Sequence, residues 1–144
     1  MYEVRAATSA DAHAVQDIFA WCIATADWLP EQVRAAVDFA HVSAGEVVHV
    51  AVAHNGAVLG FVSVFTPESF VHHLYVHPDA QGCGIGRLLL SSLEQWLCVP
   101  WRLKCVRANQ RALDFYLGLG WREVACGESE DGPYAVLEWG DGGP

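Results

Sequence analysis

The sequence predicts an α/β fold: a mixed sheet with helices on both faces. Three observations predict it. Strand-like and helix-like stretches follow one another in the order β-α-α-β-β-β-α-β-α-β-β, so hairpins and helical crossovers both contribute to one sheet. A strand runs through a glycine-rich turn straight into a leucine-rich helix between Leu74 and Leu90. Finally, 53% hydrophobic and 11% aromatic residues over 144 positions suffice for a packed core.

Each element has its own warrant. Glu3 to Ala6 alternates as a short strand. Thr8 or Ser9 caps a helix through about Ala24, with Val15, Ile18, Phe19 and Cys22 on its apolar face. Trp28-Leu29-Pro30 breaks the chain, and a second helix follows from about Glu31 to Val42. Val47 to Ala53 and Val58 to Phe65 are strands joined at Asn55-Gly56, a strong hairpin signal. Phe70 to Val76 is the next strand, and the helix after the glycines runs to about Leu97. Trp101 to Val106 is a strand, and Asn109 opens a helix with Ala112, Phe115, Tyr116 and Leu119 at helical spacing. Gly120 sits where such a helix would be capped. Trp121 to Ala125 and Tyr134 to Trp139 form a last antiparallel pair. Residues 1–139 read as one domain and residues 140–144 as a frayed tail.

Composition narrows the function. A net charge of −9 argues against nucleic acid and weakly favours cationic acceptors. No apolar run reaches the length of a membrane span, and no signal-peptide core follows the N-terminus. Cysteines at 22, 83, 98, 105 and 126 are odd in number and lack C-x-x-C pairs. They fit reduced thiols in a cytoplasm better than a disulfide frame or a zinc site.

The glycine turn carries the chemistry. Gly82, Gly84 and Gly86 lie between a strand and a helix, where backbone can approach a bulky ligand without Cβ clashes. The first N–H groups of the helix lack intrahelical partners, and with the helix dipole they suit a pyrophosphate. The spacing does not fit the dinucleotide fingerprint G-x-G-x-x-G, and Lys104 and Cys105 stand where that reading wants an acidic residue. The Walker A pattern is absent. What matches is Q/R-x-x-G-x-G/A, as Gln81-x-x-Gly84-x-Gly86, after a Tyr-Val-His-Pro strand end. A second pattern, N-x-x-A-x-x-F-Y-x-x-x-G-(F/W), runs from Asn109 to Trp121.

These two motifs resemble the acetyl-CoA site of the GCN5-related N-acetyltransferases. The resemblance covers nearly the whole chain, although the N-terminal half matches in pattern only. It implies a mostly antiparallel central sheet and an acetyl-CoA-dependent N-acetyltransferase with a small-molecule or protein amine as acceptor; the residues themselves lead us to expect no metal and no nucleic-acid or membrane partner, and a homodimer is compatible with it. The implied cofactor contacts are Leu74, Val76, Gln81, Gly82, Cys83, Gly84, Ile85, Gly86, Arg87, Asn109, Ala112 and Phe115. Arg87 reads equally as a phosphate partner or a solvated charge. Cys83 offers its backbone N–H, although the family often has a basic or small residue there.

Direct transfer from a thioester requires a deprotonated amine, a stabilised oxyanion and a proton for the thiolate. The resemblance implies Tyr116 as the acid, and a phenol near its reference value of about 10 stays protonated at neutral pH. On the residues alone, Tyr116 and its neighbour Phe115 also read as core aromatics. For the base, the resemblance points to His72, which matches a histidine of the serotonin N-acetyltransferase branch. A histidine near its reference value of about 6.5 can accept the proton. Strand alternation places His72 with Leu74 and Val76, and His73 with Val71 and Tyr75. A purely structural role for either histidine is the alternative, with Glu68 or Glu31 working through water instead. His72, His73 and His77 form no metal set on this reading, because adjacent strand histidines point apart and no cysteine or carboxylate completes a ligand set at a familiar spacing. Phe70 stands where the histone-acetylating branch places its glutamate, which disfavours that mechanism and substrate. The acceptor region contains Trp21, Trp28, Leu29, Phe39 and Tyr134, with Asp27, Glu31, Asp38, Glu128, Glu130 and Asp131 nearby. A non-catalytic acyl-CoA-binding or regulatory domain on the same scaffold is the rival reading.

Overall fold

The computed structural model describes residues 2–26 and 38–140. Among these residues the strands are β1 (Tyr2–Ala6), β2 (Val47–Ala53), β3 (Val58–Phe65), β4 (Phe70–Val76), β5 (Trp101–Val106), β6 (Arg122–Ser129) and β7 (Gly132–Trp139). The helices are α1 (Ala12–Ala24), α2 (Phe39–Val42), α3 (Ile85–Ser92) and α4 (Gln110–Gly118). The strands form one sheet in the order β1-β2-β3-β4-β5-β7-β6. All neighbours are antiparallel except β4 and β5. These two run parallel and pair only at Phe70↔Arg102. Beyond that pair the ladder stops, and both hollows described below open there.

The two faces carry separate cores. On one, Val15, Ile18 and Phe19 of α1 pack with Phe39 against Val50, Val52 and Phe61. On the other, Ile85, Leu89 and Leu90 of α3 and Leu113 and Tyr116 of α4 pack against Ala51, Val62, Val64 and Leu103. A fully buried aliphatic side chain is worth about 1.5–3 kcal/mol over an exposed one. The buried Ile85, Leu89 and Leu90 therefore anchor α3, and with it the glycine loop that precedes it. At the other end of the chain, Thr8 ends the first strand's exit as the cap of a 3-10 turn, Ser9–Asp11. Asp11 accepts from the Thr8 N–H at 2.8 Å and from both Arg5 guanidinium nitrogens at 2.7 and 3.0 Å.

The predicted boundaries of β2, β3, β4 and β5 coincide with the observed ones. The Asn55-Gly56 turn forms as expected, with the Asn55 side chain accepting from the Ala57 N–H at 3.0 Å. Other elements differ, β1 and β7 by starting one and two residues earlier and α1 by starting at Ala12, after a separate 3-10 turn. The helix expected to reach Leu97 relaxes to a 3-10 turn at Leu93–Gln95. β6 starts one residue later than expected and runs on to Ser129. Of the helix expected from Glu31, only Phe39–Val42 falls within the described residues; Trp28-Leu29-Pro30 and residues 31–37 lie outside them. No helix of the described residues is long and apolar enough to cross a membrane.

Candidate active site

The glycine loop builds the first hollow. β4 ends at Val76, and Pro78–Ala80 make a 3-10 turn. The Gln81 side-chain amide folds back to donate to the Val76 carbonyl at 3.3 Å. Gly82 and Gly84 then adopt φ of +84° and +83°, with open space where a Cβ would stand. The demand for glycine there is conformational, not steric. Gly84 is the N-cap of α3, so the unpaired amides of the first helical turn follow it directly. Gly86 serves another purpose: a Cβ on it would come within 3.3 Å of Phe115 Cζ. It lets α3 approach α4.

The resulting cleft measures about 410 Å³. Its lining includes every cofactor residue expected from the sequence except Cys83, which is exposed in the loop. Arg87 lines it, as does Arg111, which the motif reading did not single out. In a chain of net charge −9, this lining holds two arginines and no acidic residue. Arginines, a helix N-terminus and left-handed glycines fit a pyrophosphate-bearing group.

α4 closes the cleft. Asn109 caps it, its side-chain oxygen accepting from the Ala112 N–H at 3.2 Å. Tyr116 is buried, with its ring edge-on to Trp121 at 5.6 Å between centroids. Burial pushes its phenol above the ordinary value, and Cys105 and Tyr75 add to the effect. The proton therefore stays on Oη at neutral pH, the state an acid needs.

A second hollow of about 580 Å³ lies between β4, β5, α1 and the β6–β7 hairpin. Leu74, Asn109, Ala112 and Tyr116 line both hollows. The two histidines of β4 line the second, but not as alternation predicts. Ser63 pairs with His73 and Val64 with Val71, so His72 is an extra residue in a β-bulge. The bulge sends Val71 to the α3 side with Leu74 and Val76. It leaves His72 beside His73, their ring centroids 3.9 Å apart. The expectation that His72 shares a face with Leu74 and Val76 is thereby corrected: an inserted residue resets the two-residue period.

The bulge also brings in a carboxylate that the sequence reading missed. Glu46 precedes β2, in a turn where its N–H donates to the Ser43 carbonyl at 3.0 Å and Gly45 takes φ +84°. The Glu46 side chain is 8% exposed. Its Oε1 accepts from the Ser63 hydroxyl, and its Oε2 bonds His72 Nδ1. His73 Nδ1 lies 3.8 Å from Oε1, too far for a hydrogen bond, and this buried nitrogen has no partner. Burial, aided by the charge of His72, pulls His73 down to about 3. His73 is therefore neutral at physiological pH and cannot gain and lose a proton there. His72 is the more exposed of the two, at 41% against 11% for the side chains.

Glu46, His72 and His73 place three donor atoms within 4.8 Å of one another. The histidines therefore do not diverge as expected, and a carboxylate distant in sequence joins them. In this arrangement both carboxylate oxygens are engaged by Ser63 and His72. Among the other carboxylates considered as base, Glu68 is exposed on the turn Thr66–Glu68 and does not line the cavity, and Glu31 lies outside the described residues. Of the acceptor-region residues, Tyr134 and Asp131 line the cavity, Phe39 is buried against Phe19 and Phe61, and Trp21 is 53% exposed away from it. Trp28, Leu29 and Asp27 lie outside the described residues.

The sequence model of the acetyltransferase (GNAT) domain matches residues 44–123, more than half of the chain. None of the curated proteins matches the chain in sequence. Solved structures resemble it in fold. Apo YjaB from Escherichia coli superposes with a TM-score of 0.80 at 21% identity, covering 96% of this chain and 97% of that one. For yncA of Salmonella typhimurium, a putative acetyltransferase solved with its cofactor acetyl-CoA, the TM-score is 0.74 at 21% identity, over 96% and 93%. For the ribosomal-protein-alanine N-acetyltransferase of Brucella melitensis it is 0.72 at 20% identity, over 95% and 98%.

Proposed function

Since the chain belongs to the GNAT acetyltransferases, we propose that it transfers an acetyl group from acetyl-CoA to a primary amine of a small molecule or an exposed protein amine. One observation carries the reading: Tyr116 lines both the arginine-bearing glycine cleft and the histidine-bearing cavity. A donor held in the first and an amine held in the second would meet at its hydroxyl.

When bound, acetyl-CoA supplies an already activated acyl thioester, so no residue need act as nucleophile. The amides at the start of α3, with Arg87 and Arg111, hold the pyrophosphate. His72 Nε2 takes a proton from the incoming ammonium, which frees the nitrogen lone pair. Tyr116 holds its proton at Oη, gives it to the departing sulfur, and recovers one from the newly acylated nitrogen. His72 then releases its proton to water, so ammonium and thioester become amide, thiol and one proton. A cytoplasmic setting is part of the reading, supported by five cysteines that are all free among the described residues.

The test is release of free CoA from acetyl-CoA with a panel of primary amines, using the native chain and Tyr116→Phe. The expected result is amine-dependent release that falls about 10²–10⁴-fold in the variant with acetyl-CoA affinity retained. Tight acetyl-CoA binding without turnover on any amine would favour a non-catalytic acyl-CoA-binding domain. Full turnover in Tyr116→Phe would remove the acid role.

A further inference from the structure

The Glu46 carboxylate sits where a base would need it, although it comes from the turn before β2, 26 residues upstream of His72. We propose that Glu46 is the positioning residue that makes His72 a competent base, with Ser63 fixing the carboxylate. This rests on the acetyl-transfer reading above and adds to it a residue that no motif marks.

The chemistry follows from the donor inventory. A carboxylate only accepts hydrogen bonds, so His72 must donate its Nδ1–H to Glu46. The lone pair is thereby held on Nε2, the remaining ring nitrogen of a side chain that is 41% exposed and lines the cavity. When Nε2 gains a proton, the imidazolium forms beside a negative group 8% exposed and shielded from water, where the attraction is stronger than in solvent. The same logic orders other carboxylate–imidazole pairs, in which the acid fixes the tautomer and steadies the cation without itself taking the proton. Ser63 is fully buried and donates to the other oxygen, so Glu46 has one orientation available.

The bulge makes the arrangement possible. On a regular strand His72 would point to the α3 side, away from Ser63 and Glu46; the extra residue turns it round. Other ionisable groups face His72 across the cavity: Lys104 and Cys105 on β5, Tyr116 on α4, and Asp131 and Tyr134 on the last hairpin. Lys104 lies over the Tyr134 ring at 5.0 Å. On β4, His73 is held neutral by burial, and Tyr75 is partly buried, desolvation raising its phenol. Glu46 is the group that bonds the His72 ring.

The experiment compares the native chain, Glu46→Gln, Glu46→Asp and His72→Gln. Two readouts are used: the pH profile of kcat/KM on the best amine, and the His72 imidazole signal followed by NMR through a pH titration. Glu46→Gln keeps the shape and removes the charge. We expect kcat about 10–10²-fold lower, with acetyl-CoA affinity unchanged. The acidic limb of kcat/KM and the NMR midpoint of His72 should both move to lower pH, because the charge that favours the imidazolium is gone. Glu46→Asp should restore the native limb in part, and Glu46→Gln combined with His72→Gln should be no worse than His72→Gln alone. An unmoved His72 midpoint in Glu46→Gln overturns the proposal whether or not the chain turns over. Turnover abolished by a chelator and restored by Zn²⁺ would overturn it too, since the three groups would then act as metal ligands. Failure of the native chain to release CoA, with the midpoint shift present, counts against the acetyl-transfer reading and leaves the pair standing.

Discussion

Glu46 and Glu138 are both buried carboxylates, their side chains 8% and 9% exposed, yet their surroundings differ in kind. Glu138 on β7 accepts from Arg102 Nε at 2.8 Å with one oxygen and from Arg122 at 2.7 Å with the other. Guanidinium groups do not lose their protons in a protein, so Glu138 has two permanent counter-charges. Glu46 has a hydroxyl on one oxygen and an imidazole on the other. Among the described residues, its hydrogen-bonded partner able to carry a positive charge is the imidazole of His72. A carboxylate with fixed partners holds strands together; Glu138 ties β5, β6 and β7. A carboxylate whose partner changes charge is suited to moving protons. Burial is the same for both, so the partner decides the role.

The comparison breaks first on acid. His73, in the Glu46 corner, is held by burial down to about 3, well below the usual histidine value of about 6.5. The unfolded chain therefore binds that proton more readily. The stability involved is fully present above about pH 6.5 and is lost as pH falls from there toward 3. At 1.36 kcal/mol per unit, on the order of 3 kcal/mol should go between pH 7 and pH 4. Asp11, lowered to about 2 chiefly by Arg5, acts in a separate window below its usual value of 3.8. His73→Phe, which keeps an aromatic ring among Phe19, Phe39 and Tyr75, should remove most of the loss above pH 4. Urea unfolding of both proteins at pH 7 and pH 4 measures it. An undiminished loss in the variant would place the acid-sensitive group elsewhere.

Glu138→Gln tests the other side. The variant leaves Arg102 and Arg122 facing a neutral amide; both are half exposed, so water relieves part of the repulsion. We expect a cost of about 2 kcal/mol, a fall in Tm of roughly 5–10 °C, and native turnover at 25 °C. Glu46→Gln should show the reverse, losing turnover with a smaller change in Tm. Calorimetry of the two variants side by side decides. Equal melting losses would mean that both carboxylates are structural.

The two hollows were unequally legible in the sequence. The glycine cleft is built by a contiguous segment, and its requirements are local. Gly82 and Gly84 need left-handed backbone, Gly86 needs room for Phe115, and Asn109 caps its own helix. Each requirement leaves a residue type at a fixed spacing, so the lining could be named in advance, with Cys83 the exception because an exposed loop side chain leaves no such mark. Arg111 escaped because a charge on a helix surface looks like any solvated one. The Glu46 corner depends on pairing between distant segments and on one inserted residue. Val71-His72-His73-Leu74 contains no glycine or proline to announce a bulge, and alternation alone put His72 on the wrong face. The strands themselves were plain because apolar runs bounded by turns specify their ends; which residue of a strand lacks a partner is set across the ladder, in Ser63 and Val64.

The finest distinction between the two carboxylates concerns how each is held. Glu138 is fixed by charge, and removing one arginine leaves the other. Glu46 relies on Ser63, a neutral and fully buried hydroxyl. Ser63→Ala removes that bond without introducing a charge or a large cavity, and it leaves Oε1 of a buried carboxylate short of one donor. The net worth of such a bond is about 1 kcal/mol, which as a loss of positioning corresponds to roughly fivefold in kcat. KM for acetyl-CoA should not change, because the glycine cleft does not involve Ser63. The acidic limb should stay near its native position, since the Glu46 charge remains, and this separates Ser63→Ala from Glu46→Gln. Steady-state kinetics across pH would show it. A limb displaced as far as in Glu46→Gln would mean that Ser63, and not the carboxylate, governs the protonation of His72.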